Sequence, residues 1–235
     1  MVLGLAGFEY WCDFGGCTVS QLVGQAHLIT TFQSLDALRG QNYFQRVRTA
    51  FKEWAIIVEA LGRGDQILIL RKGGISEGRT GFQIDHSEFF LFPTLFHQQR
   101  ESVLPPAQKR FDDITKNFPS PEMVRLEFFA KVIEWRKLDS LADAERLRGE
   151  HFWRDEVIAE RFDWGKSKNI FAMALRVFRL SKSIELPNLP SYGGCKSWIE
   201  LEREIATEGA TPVLDEPAFA KKLSKFHGAF FLAQR

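Results

Sequence analysis

Apolar and polar positions change texture along the chain. From residue 1 to about 48, apolar residues recur with no sustained period of 2 or about 3.6, and charges are sparse. We expect residues 1–48 to be a poorly ordered extension or a leader, and 49–235 to form a single α+β domain with a candidate subdivision near residue 119. Phe44–Phe51 (FQRVRTAF) reads as the start of a helix. From Trp54 the pattern sharpens: "WAIIVEAL" is rich in β-branched residues, "GRGD" is turn chemistry and "QILILR" is again aliphatic. The three together predict a β-hairpin buried on both faces.

"EFFLF" at 88–92 predicts a third strand ended by Pro93, which has no N–H for a ladder. Ala107, Phe111, Ile114 and Phe118 recur at helical spacing between Pro105–Pro106 and Pro119, so a helix is expected there. In "MVRLEFFAKVIEW" apolar Val124, Leu126, Phe128, Ala130 and Val132 occupy alternate positions, the period of a strand. Leu141–Arg148 and Trp153–Phe162 carry good helix formers. "NIFAMALRVFRL" and "CKSWIEL" predict two further strands, and Asp215–Phe226 a closing helix capped by Asp215. Strands and helices mix without βαβ alternation, which predicts an α+β fold with a mixed or antiparallel sheet and several flanking helices.

Composition narrows the function classes. The 22 phenylalanines and 6 tryptophans imply a core built largely of rings. A net charge of +1 gives no global field toward nucleic acid or an anionic membrane, so polyanion binding must be local. Cys12, Cys17 and Cys195 are too few and too scattered for a disulfide framework. The start of the chain lacks a basic leading region, and no apolar run has the length of a membrane span. A soluble, cytoplasmic protein is expected.

The chemistry concentrates in two glycine-and-cation stretches. Arg71, Lys72, Gly73 and Gly74 follow the predicted "LIL" strand; glycines there free the backbone to turn N–H groups toward a ligand while the cations supply charge. Gly193, Gly194, Lys196, Ser197 and Trp198 repeat that chemistry, adding a hydroxyl and a ring. The second stretch is not a phosphate-binding P-loop: Cys195 stands where Gly must precede Lys-Ser, and Pro190 where the first Gly belongs. Cys195 reads as a small buried thiol.

Glu53, Glu59, His86 and His97 are the candidate catalytic residues, able to form a metal site or acid–base pair if their elements meet. Glu59 sits among Val58, Ala60 and Leu61 and needs a partner, for which Arg71 or Lys72 on the paired strand is the candidate. His86-Ser87-Glu88 matches half of the zinc deaminase signature, but no P-C-x-x-C follows. A hairpin nuclease of the PD-(D/E)xK kind fails because Leu70 stands where its acid belongs.

The motifs "AFKEW", "LRKGGI", "FFLFPT-LFHQ" and "YGGCKSW", in that order between Ala50 and Leu201, resemble a family of proteins of unknown function known from cyanobacteria and plants. The resemblance implies a domain beginning near Ala50 and assigns no activity, metal or cofactor. Three functions remain open: binding of a phosphate-bearing ligand or nucleic acid through the two Gly-Gly/cation elements, a metal-dependent hydrolase or nuclease, and a non-enzymatic scaffold. Convergence of the two glycine elements in space separates the first from the others.

Overall fold

The structure is a computed structural model that describes residues 46–72, 86–97, 99–165 and 167–231. The chain divides into the units Met1–Gln41 and Asn42–Arg235, and every described residue belongs to the second.

The first surprise is β1 (Arg46–Trp54), a strand where the sequence predicts a helix start. It pairs with parallel β3 (Glu88–Thr94) on one side and antiparallel β6 (Trp198–Ala206) on the other. Val47, Ala50, Phe51 and Glu53 are buried, so two neighbouring ladders override a local helical preference. The strand crosses the expected boundary at residue 48.

Its continuation, α1 (Ala55–Gly62), overturns the predicted hairpin. All of it is buried except Glu59, so its apolar run shows no exposed face from which to read a period. Burying Ile56, Ile57 and Leu61 contributes about 1.5–3 kcal/mol each, whereas β-branched residues cost a helix only a few tenths of a kcal/mol. Packing wins. "GRGD" is the helix stop: Gly64 N–H donates to Leu61 O at 3.0 Å and Asp65 N–H to Ala60 O at 3.0 Å, with Gly64 at φ +74°. These are the paired bonds of a Schellman motif.

The other expected elements form. β2 (Leu68–Arg71) and β3 follow, with Pro93 inside β3, beyond the Glu88–Phe90 stretch that pairs with β4. α2 (Pro105–Lys116) precedes β4 (Met123–Leu138). α3 (Leu141–Glu145), α4 (Asp155–Asp163), β5 (Ile170–Pro187), β7 (Thr211–Pro212) and α5 (Glu216–Phe231) complete the order, with β6 between β5 and β7. Asp215 caps α5 by accepting from the Ala218 amide at 2.8 Å.

Among the described residues, 7 strands make one mixed, mostly antiparallel sheet in the order β2-β5-β4-β3-β1-β6, with β7 on the far part of β5. The fold class is α+β. One set of buried side chains runs from Phe51 and Ile56 through Phe89 and Trp153 to Phe226 beneath the helices. A second, including Ala50, Phe90, Phe129 and Leu201, lies on the opposite face. Among the described residues no helix is long and apolar enough to cross a membrane.

Candidate functional site

Arg71 ends β2 and Ser197 precedes β6, the two ends of the strand order. Even so, Arg71 Nε donates to Ser197 Oγ at 3.1 Å. The sheet therefore curls until its edges meet. Phe51 of β1 lies beneath the junction, with the Arg71 guanidinium 5.5 Å from its ring centre. Ser197 is fully buried, and its carbonyl accepts from the Lys52 amide at 2.8 Å, extending the β1–β6 ladder.

Lys52 fixes the neighbouring glycine turn: its ammonium donates to Tyr192 O at 2.8 Å and Gly194 O at 2.5 Å. Gly194 sits at φ +79°, a conformation glycine adopts without Cβ strain. The Gly193 amide donates to Pro190 O at 3.0 Å, so it is satisfied internally rather than held out to a ligand. Cys195 and Lys196 follow on the surface; Cys195 is an exposed thiol, not the buried one expected, because the turn carries it outward. Burial pushes the Lys52 ammonium below the ordinary lysine range, Arg71 and Lys196 push the same way, and Cys195 opposes them. These cations share one local field.

Lys72 does not join them. Its ammonium donates to Phe162 O at 3.2 Å, Asn169 O at 2.8 Å and Ser167 O, which occupies all three of its hydrogens. Gly73 and Gly74 lie outside the described residues. So does Gly74-Ile75-Ser76-Glu77-Gly78, which spells the G-x-S-x-G pattern of a nucleophile elbow; without described geometry it carries no assignment.

Beside the junction Glu53 is 1% exposed. One carboxylate oxygen accepts from the Trp54 amide at 2.7 Å and the other has no hydrogen-bond partner among the described residues. Arg161 of α4 is nearby: its guanidinium lies 3.7 Å from the Trp153 ring centre and donates to Leu70 O at 3.1 Å. Burial pushes Arg161 down to about 10, with Glu53 opposing and Arg71 adding to the shift.

The other candidate acids and bases go elsewhere. Glu59 pairs with Arg63 at 3.5 Å and Arg110 at 3.3 Å, not with Arg71 or Lys72, because α1 is a helix and does not run beside β2. Burial pushes its carboxyl up, with Arg110 and then Arg63 pulling it back. The His86 ring meets Trp198 at 5.2 Å, and His97, at φ +56°, rests on Phe96 at 3.9 Å. Among the described residues no three His, Cys, Asp or Glu side chains are grouped to hold a metal ion.

The model of one family, a domain of unknown function termed DUF1802, matches residues 50–225. The chain belongs to this family. No curated protein matches it. Among solved structures, the crystal structure of ASCH from Zymomonas mobilis is similar at a TM-score of 0.38 and 13% identity, over 75% of this chain and 93% of that one. A likeness at that level carries no argument about function.

Every group at the junction falls within the DUF1802 match: Lys52, Glu53, Arg71, Arg161, Lys196, Ser197 and Trp198. Sequence reading identified Glu53, Arg71, Lys196, Ser197 and Trp198 but missed Lys52 and Arg161. Lys52 stands inside the quoted "AFKEW" motif, so it was within reach. Arg161 sits on a charged amphipathic helix, where nothing local separates an inward guanidinium from solvated ones.

Proposed function

We propose that the DUF1802 domain binds a phosphate-bearing ligand at the rim where the two sheet edges meet. The hydrogen bond between Arg71 and Ser197 carries this reading, because it joins the two cation-bearing stretches in space. Ser197 engages Nε of Arg71, and the terminal nitrogens of the fork are the ones that would meet two phosphate oxygens. Exposed Lys196 and the anchored Lys52 add charge, while Lys72 and the Gly193 amide take no part. The metal-hydrolase alternative gains no support from the positions of Glu59, His86 and His97.

Binding of labelled polyphosphate to the full chain, followed against salt, tests the proposal. Affinity is expected to fall as salt rises and to drop several-fold in Lys196→Ala with melting unchanged. Salt-independent binding, or equal affinity in Lys196→Ala, would overturn it.

A further inference from the structure

Arg71 stands in the middle of an aromatic band. Its partner across β2 and β5 is Phe171, and Phe171 is in turn partnered by Lys137 of β4. Directly opposed residues of antiparallel strands project from the same face. The Phe171 ring lies 6.0 Å from that of Trp135, two residues before Lys137 and so on the same face of β4. In the other direction the Arg71 guanidinium covers Phe51, whose ring is 4.7 Å from Trp198.

Exposure rises toward one end of this band. Phe51 is fully buried, Phe171 is half-buried, and Trp135 is 48% exposed beside Ile133 at 42%. A half-exposed indole adds little to the core, and a phosphate group alone makes no use of a ring face. Nucleobases do, and they present their faces only when unpaired, since in a duplex each face is covered by its neighbours. Sequence-independent binders of single strands combine these two features, cations for the backbone and rings for the bases. Lys137 and exposed Lys168 near this face are paired with Asp139 at 2.8 Å and Asp163 at 2.7 Å, so the rim cations rather than these lysines supply the charge.

Building on the phosphate reading of the rim, we infer that its ligand is single-stranded nucleic acid, with a phosphate at Arg71 and Lys196 and a base stacked on the exposed Trp135 ring. The stacking residue is new to the site. Trp135 lies on the strand that sequence reading assigned only to the sheet.

Fluorescence anisotropy with the full chain separates this claim from the one beneath it. The probes are a labelled single strand of about ten nucleotides, an abasic strand of equal length, and polyphosphate. The base-bearing strand is expected to bind roughly ten-fold more tightly than the abasic one. Trp135→Ala should erase that difference and leave abasic and polyphosphate binding as they were, while Trp135→Phe keeps most of it; melting curves confirm that both variants fold. Equal affinity for the two strands, or a Trp135→Ala variant that still prefers bases, overturns the stacking assignment and leaves the phosphate reading standing. Failure of both polyphosphate and abasic strand to bind overturns the phosphate reading, and with it the nucleic-acid claim.

Discussion

Arg71 and Ser197 come from opposite ends of the strand order and share a hydrogen bond of 3.1 Å. A flat sheet of this order would hold them several strand spacings apart, each about 4.8 Å. The contact thus reports curvature, and the curvature creates the rim.

Removing the hydroxyl tests that link. Ser197→Ala deletes the acceptor for Arg71 Nε in a fully buried position and should cost about 1 kcal/mol of stability. The guanidinium also loses its fixed orientation, so polyphosphate affinity should fall even though no charge is lost. Urea unfolding and a binding titration on the same variant check both effects; unchanged affinity would place Arg71 outside the ligand contact.

Lys72 offers the opposite behaviour one residue away. Its ammonium serves the carbonyls of Phe162, Ser167 and Asn169, tying the end of α4 to the start of β5. Lys72→Met leaves those oxygens without their donor and should lower stability by about 1–2 kcal/mol. Polyphosphate affinity should stay the same. Unfolding midpoints and binding isotherms separate this structural role from a ligand role, and a loss of affinity without loss of stability would contradict it.

A pH dependence follows from His151, which is buried and whose Nδ1 accepts from the Trp153 amide at 3.2 Å. Burial pushes its pKa down to about 4, with Asp155 partly opposing and Arg161 adding to the shift. Unfolding restores the ordinary value near 6.5, so between those two values the unfolded chain binds the extra proton. Stability from this residue is complete above about pH 6.5 and is lost as pH falls toward 4, on the order of 3 kcal/mol across the window. Urea midpoints of wild type and His151→Gln, compared at about pH 7 and about pH 4.5, should converge at the acid end. A constant gap between them would show that His151 is not the group responsible.

Much of this fold was legible where a pattern had contrast. The alternation in Val124–Val132 marked β4, and the prolines around 105–119 framed α2. The misread hairpin has one cause, burial on all sides. α1 shows no polar stripe apart from Glu59, so its aliphatic run reads equally well as a strand, and the β-branched residues tipped the reading the wrong way. "GRGD" was informative but ambiguous, since glycine at positive φ ends a helix as readily as it turns a hairpin: a Cβ on Gly64 would lie 2.5 Å from the Leu214 side chain, which fixes that glycine in place. At the site, the two cation-bearing stretches were visible and their meeting was not. Contact between the two ends of the sheet depends on its curl, a property of all the strands together rather than of any one segment.

The most direct test of the rim is the Arg71 side chain itself. Its Nε–H resonance, assigned by its disappearance in Arg71→Lys, should shift in saturable fashion as a short single-stranded oligonucleotide is titrated into the full chain, and Lys196→Ala should weaken that titration several-fold. An Arg71 resonance that stays in place while the oligonucleotide binds would contradict the account.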